Sequence, residues 1–213
     1  MKIIILSLFP DMFTPLEQSI IKRAQERNLV SIRIVNFRDW AKGKHKQVDD
    51  TPCGGGAGMV LMAQPIVDCI ESLDPDHSFH RIYLTPAAST LTQNKVMELA
   101  KLSNLLFVCG HYEGIDQRAI DLCIDEKISI GEYVLTGGEI PAMVVVDAVV
   151  RQIPDVIKQE SIQNESYTSG KNWEHPQYTK PRDFRGLLVP EVLLSGNHAQ
   201  IEKWKRENSY HLP

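Results

Sequence analysis

Apolar and polar positions along this chain fall into blocks whose period switches between two and about 3.6, the pattern of strands exchanging with helices. Residues 1–8, Met-Lys-Ile-Ile-Ile-Leu-Ser-Leu, are mostly apolar and read as a buried first strand. Thr14-Pro15-Leu16-Glu17 reads as a helix start, with Thr14 as cap, Pro15 in the first turn and Glu17 completing a capping box. Leu16, Ile20, Ile21 and Ala24 then supply one apolar face. Over 29–36, Val30, Ile32 and Ile34 alternate with Ser31 and Arg33, which predicts a strand with one partly wet face. From 37 to 58 the periodicity is lost over a basic, glycine-rich segment too long for a simple connector, so it reads as a functional loop. Beyond it the pattern predicts a helix over 64–73, a strand over 80–85, a helix over 91–102 and a buried strand over 105–109. A helix to Leu122, a short strand over 128–130 and an apolar helix over 140–153 ended by Pro154 follow. This alternation implies an α/β domain over 1–157 with a mainly parallel sheet covered on both faces.

Residues 158–180 break the pattern: Gln, Asn, Ser, Lys and Glu dominate and Gly170 and Pro176 interrupt, so the stretch reads as a flexible linker, disordered over 158–170 when no partner is bound. Asn197 then opens a helical pattern with Ile201 and Trp204 on one side, giving a short carboxy-terminal unit over 181–213.

With 43% hydrophobic and 23% charged residues in 213, the chain can bury one sizeable core. No apolar run approaches the roughly 20 residues needed to span a bilayer, and the amino end lacks a signal-peptide cleavage pattern. The four cysteines, Cys53, Cys69, Cys109 and Cys123, have neither metal-finger nor disulfide-framework spacing, which fits a reducing cytoplasm and predicts no resident metal site. The net charge of −4 conceals a polarised chain. Residues 22–46 carry eight basic against two acidic side chains, whereas 109–147 carry eight acidic against two basic ones. The first stretch can attract phosphate and the second repels it; both are also what two solvated faces look like.

The chemistry concentrates in 109–118, CGHYEGIDQR, and 129–143, SIGEYVLTGGEIPAM, whose glycines remove side chains from consecutive turns and let main chain approach a flat ligand. The glycine run 54–58 lacks the G-K-[ST] of a phosphate loop and does not leave the first strand as a dinucleotide fingerprint does, so it reads equally as a tight turn or a ligand contact. Cys109 and His111 are the one suggestive nucleophile–base pair, yet Cys109 ends an apolar strand and burial explains it better. A two-carboxylate hydrolase drawing on Glu113, Asp116, Glu132 and Glu139 stays open as an alternative without a fixed pair.

Five segments occur in one order across the chain: VDDTPCGGGAGMVLM, CGHYEGIDQR, SIGEYVLTGGEIPAM, HPQYTKP and LLSGNHAQIEKW. Together they closely resemble the TrmD family of tRNA (guanine-N1)-methyltransferases, in the SPOUT superfamily. The resemblance implies a homodimer with its active site at the subunit interface and a deep trefoil knot in the α/β domain that holds S-adenosyl-L-methionine. It implies cofactor contacts from Tyr83, Leu84, Thr85 and Pro86, from Gly110, Tyr112, Glu113 and Gly114, and from Ser129, Ile130, Gly131, Glu132, Tyr133, Val134 and Leu135, with Gly137, Gly138 and Pro141. It further implies methylation of N1 of guanosine 37, next to the anticodon. Removing the N1 proton needs a base, and the negative charge growing on the adjacent carbonyl oxygen needs a cation. The family's base falls on Glu165, where Asp is usual, its arginine on Arg151, and a carboxylate beside the methionine end of the cofactor on Glu113. The basic 22–46 segment and the carboxy-terminal unit then have the tRNA anticodon stem-loop as candidate ligand, and Mg²⁺ is a possible assistant assigned to no residue. The family's basic helical tail is longer than 181–213 supplies, so this unit reads as truncated. With the altered base, that leaves a second reading: a catalytically impaired module that binds tRNA or cofactor.

Overall fold

The computed structural model describes residues 1–158, 165–167 and 172–211. The chain divides into two units, Met1–Ile157 and Lys158–Pro213. Its strands in the first unit are β1 (Lys2–Leu6), β2 (Ser31–Val35), β3 (Asp49–Asp50), β4 (Val60–Leu61), β5 (His80–Leu84), β6 (Asn104–Cys109) and β7 (Glu126–Ile128). The helices are α1 (Ser19–Glu26), α2 (Ala63–Leu73), α3 (Gln93–Leu99), α4 (Gln117–Cys123) and α5 (Glu139–Val150).

Five strands form one sheet in the order β2-β1-β6-β5-β7, and every pairing in it is parallel. Period-two alternation divides each central strand between two cores. Ile3 and Ile5 of β1, Ile82 and Leu84 of β5, and Leu105 and Phe107 of β6 face one side, with α1, α3 and α5 residues. Ile4 and Leu6, Tyr83, and Leu106 and Val108 face the other, against α2 and α4. Both sheet faces are therefore dry, which is why these strands read as continuous apolar runs. Helix α5 is rich in valine, a poor helix former, so tertiary packing of Ala142, Val145, Val146, Val149 and Val150 holds it rather than propensity. Among the described residues no helix is long and apolar enough to cross a membrane.

Three expectations need correction. Residues Pro10–Glu17 form a 3₁₀ helix with no side-chain cap, and the α-helix begins only at Ser19, after an extended Gln18. Pro15 explains this: it disfavours α conformation at Thr14 and offers no amide to an α-helical hydrogen bond. Ile20, expected on the apolar face, is 37% exposed. The third correction to the boundaries is smaller: β7 ends at Ile128, and Ser129 turns away to bond Ser89 and Leu91 through its backbone.

At the opposite end of the sheet from the loops discussed below, Asp74 and Arg81 form a buried ion pair at 2.8 Å. Burial alone raises the Asp74 pKa, but hydrogen bonds from the Ser78 amide, the Arg81 guanidinium, the Ser78 hydroxyl and the Phe79 amide outweigh it and hold the carboxyl below its ordinary 3.8. A depressed folded-state value means the pair's stabilisation is complete above pH 3.8 and is lost as pH falls through the folded value. Melting temperature is accordingly expected to stay level through neutral pH and to drop in acid. Asp74→Asn should make that acid limb shallower; an acid limb of unchanged steepness would remove Asp74 from it.

The second unit contains an antiparallel pair, Asp183–Phe184 with Leu187–Leu188, joined by Arg185 and Gly186, both at positive φ as a two-residue I′ turn requires. Asn172–Trp173 pairs with Tyr210–His211. Helix His198–Glu207 starts at Asn197, whose side chain accepts from the Gln200 amide, and Trp204 meets the rings of His175 and Tyr178. Of the stretch expected to be a linker, residues 159–164 and 168–171 lie outside the described residues.

Candidate active site

Parallel strands end together, and the loops that leave β5, β6 and β7 converge beyond their carboxyl ends, where open α/β sheets bind ligands. They enclose a cavity of about 330 Å³ lined by residues 83–87, 110–114, 128–131 and 133–138 together with Pro141 of α5. Short hydrogen bonds fix the loops: Thr85 donates its amide to Ile128, Gly114 to His111 and Gly138 to Gly110. Ser129 Oγ donates to the Gly131 carbonyl and accepts from the Gly131 amide. Apolar enclosure comes from Pro86, Ile130, Tyr133, Val134, Leu135 and Pro141.

Every cofactor position expected from the sequence lines this one cavity except Glu132, whose exposed side chain is not part of the wall. Ala87, His111, Ile128 and Thr136 line it as well. Of these, Ala87 and Thr136 extend runs already singled out, whereas His111 was weighed only as partner to a nucleophile. That nucleophile is absent: Cys109 is 1% exposed, and burial, reinforced by the Glu139 carboxylate, pushes its thiol well above the ordinary range.

Gly110 sits against Tyr83. An added Cβ would lie 2.9 Å from the phenol oxygen and 3.0 Å from Cε2. Tyr83 is itself buried, which raises its pKa despite hydrogen bonds from the Ile115 amide and the Thr85 side chain, so it stays a neutral wall of the cavity. Gly110→Ala is therefore expected to displace the phenol, the movable partner, and weaken ligand binding about tenfold while the fold persists. Isothermal titration reads the affinity, and an unaltered dissociation constant would mean that Tyr83 makes way freely.

Glu113 belongs both to the cavity and to the glycine-rich loop. Its amide donates to Met59, and Gly58, at φ +87°, leaves no room for a Cβ beside the Glu113 carboxylate. Gly54, Gly55 and Gly56 have open space around them, so close packing in this run falls on Gly58 alone among the three and itself. A broader depression of about 1000 Å³ lies behind this loop, between α2 and α4, with an apolar floor from Val60, Leu61, Met62, Val67 and Ile115.

Arg151 caps the carboxyl end of α5, whose amino end, Gly138 and Pro141, forms cavity wall. Twelve residues separate the helix ends, about 18 Å at helical rise. Glu165 is half-buried in the second unit, two residues before Tyr167, which holds a left-handed φ of +68°. Among the described residues no group of three or more His, Cys, Asp or Glu side chains is placed to hold a metal ion.

A three-loop cavity at the carboxyl edge of a parallel sheet defines an α/β protein with a small-molecule-sized cleft where such sheets bind ligands. The chain matches the model of the family described as tRNA (Guanine-1)-methyltransferase TrmD over residues 1–212 and belongs to that family. It is 55% identical over 218 residues to the tRNA (guanine-N(1)-)-methyltransferase of Alkaliphilus metalliredigens, covering 100% of this chain and 88% of that protein. Similarity to the proteins of the same name from Carboxydothermus hydrogenoformans (50% identical, 98% of this chain, 83% of that protein) and Bacillus pumilus (52%, 98% and 87%) is as extensive.

Proposed function

We propose that the cavity binds S-adenosyl-L-methionine and that the protein, a member of the tRNA (guanine-N1)-methyltransferases, modifies the guanosine just 3′ of the anticodon, position 37. The observation that carries this reading is the convergence of 83–86, 110–114 and 129–138 on one cavity. Its chemistry fits the donor. Main chain from glycine-containing turns suits an adenine edge, Ile130, Tyr133 and Leu135 suit its faces, and the Glu113 carboxylate suits the cationic methionine end. When bound, the donor supplies an electrophilic methyl group.

The protein's own residues divide the remaining work. Glu165 takes the proton from guanine N1, because that nitrogen is protonated at neutral pH and attacks only once it is released. Arg151 offsets the negative charge that grows on the neighbouring carbonyl oxygen. Basic side chains over 22–46, together with Lys180, Arg182, Arg185, Lys203, Lys205 and Arg206, contact phosphates of the anticodon stem-loop, while the target base leaves its stack to reach the cavity. A tRNA substrate sets the reaction in the cytoplasm.

The active enzyme is a homodimer with the site at the subunit interface. Two features support this: Arg151 sits at the end of α5 remote from the cavity, and α5 exposes Ile140 (45%) and Val144 (42%) one turn apart. Arg151 of the partner subunit then completes the site. The domain is read as the trefoil-knotted SPOUT type, supported by the seating of Gly138, at the head of α5, on Cys109 and Gly110 at the end of β6.

Incubation with unmodified tRNA and labelled S-adenosyl-L-methionine tests the reading, with N1-methylguanosine next to the anticodon as the expected product. Donor binding without transfer would favour the impaired binding module, to which the carboxylate change at Glu165 lends support. Absence of donor binding would defeat the assignment.

A further inference from the structure

Directly beneath the cavity lies a buried polar arrangement that the reaction as described does not use. Glu139, the first residue of α5, is 2% exposed, and Ser7, at the end of β1, is 0% exposed. Ser7 Oγ donates to Glu139 Oε1 at 2.7 Å and accepts from the Phe9 amide at 2.9 Å. The ring of Phe9 packs on the ring of His111, with centroids 5.0 Å apart, and His111 meets Tyr112 edge-on at 4.7 Å. His111 Nδ1 is shut off from solvent and has no hydrogen-bond partner. An orphaned buried nitrogen is costly, so something in the working protein satisfies it.

Gly137 marks a candidate acceptor across an open gap. A Cβ there would lie 2.4 Å from Glu139 Oε2 and 2.8 Å from His111 Nδ1. One point is thus within contact of both the second carboxylate oxygen and the orphaned nitrogen, and only the missing side chain of Gly137 leaves the gap between them open. Gly137 and His111 also pair as a β-bridge, so the two loops cross at this point.

We propose that Glu139 is a positioning residue for the methyl-donor site: anchored by Ser7, its carboxylate accepts the Nδ1 proton of His111 across Gly137 and thereby locks the 110–114 loop against the 133–138 loop. The proposal rests on the reading of the cavity as the donor site. The assignment of protons follows from the acceptors available. Ser7 has one hydroxyl proton and commits it to Oε1, which leaves Oε2 as the acceptor facing His111. His111 is then the Nδ1–H tautomer, its ring fixed by Phe9 on one side and Tyr112 on the other.

The test uses the full chain labelled with ¹⁵N-histidine, with the His111→Asn spectrum identifying the resonance. Wild type is expected to report the Nδ1–H tautomer. In Glu139→Gln the amide nitrogen takes the place of Oε2, since Ser7 still needs an acceptor, and a donor there should invert His111 to the Nε2–H form. Affinity for S-adenosyl-L-methionine should fall about tenfold with tRNA affinity unaltered. An unaltered tautomer overturns the Glu139–His111 contact. An unaltered donor affinity overturns the positioning role, and a lower melting temperature accompanied by neither change assigns Glu139 to stability alone. Should Glu139→Gln fail to fold, Ser7→Ala keeps the carboxylate and removes its anchor; it is expected to weaken donor binding severalfold, and unimpaired binding overturns the proposal. A wild type that binds no donor defeats the cavity reading instead, while the tautomer measurement still decides the contact.

Discussion

Glu165→Gln is expected to lower methyl transfer to tRNA by roughly 10²- to 10⁴-fold while affinity for S-adenosyl-L-methionine stays near wild type. The substitution preserves length, shape and most hydrogen-bonding capacity, and removes only the ability to accept a proton. Guanine N1 carries its proton at neutral pH, so without a base the nucleophilic lone pair is missing when the methyl group is in place. A group that acts on tRNA alone leaves donor binding untouched, and this separates Glu165 from Glu113, which lines the cavity. Single-turnover transfer measured beside calorimetric donor binding distinguishes the two. A transfer rate equal to wild type would remove Glu165 from the mechanism. Glu165→Asp is the matched control, because it shortens the side chain by one methylene and keeps the carboxylate.

The parallel sheet was legible because β1, β5 and β6 are buried on both faces, and such strands leave no polar alternation to confuse with a helix. Helix α5 was legible for a different reason. Gly137 and Gly138 before it and Pro154 after it bound an apolar run too long for a strand, although its valines disfavour a helix. The segment over 14–24 misled because its capping box is genuine in composition, whereas Pro15 denies Thr14 the conformation and the chain a hydrogen bond. The cavity segments came as continuous runs implied by the family resemblance, Glu132 among them, and nothing in sequence tells which way a loop side chain turns. The Ser7–Glu139 hydrogen bond joins residues 132 positions apart, at the end of one strand and the start of a helix. Local patterns record neither partner: Ser7 looks like a polar break in an apolar strand, and Glu139 like one of several acids.

Gly138→Ala is expected to destabilise the protein by at least about 3 kcal/mol and to abolish donor binding with it. Gly138 caps the amino end of α5, at φ −82° and ψ −4°, a conformation open to alanine, so backbone strain is not the cause. Space is. A methyl group there would lie 2.7 Å from the Cys109 Cα and 2.9 Å from the Gly110 amide nitrogen, both main-chain atoms of the central strand's end. The clash at Gly110→Ala is with the end of a tyrosine, which can swing aside; here the only relief is to separate α5 from β6. That motion would pull apart the core formed by Val145, Val146 and Val149 against Phe107 and break the Gly138 to Gly110 hydrogen bond of 2.8 Å. The two alanine variants should therefore diverge: Gly110→Ala weakens binding in a folded protein, whereas Gly138→Ala lowers the denaturation midpoint itself. Chemical denaturation of both under one condition decides it. Equal midpoints for the two would mean that α5 can lift from the strand at little cost, and the crossing of these loops would then not be the fixed point on which the cavity is built.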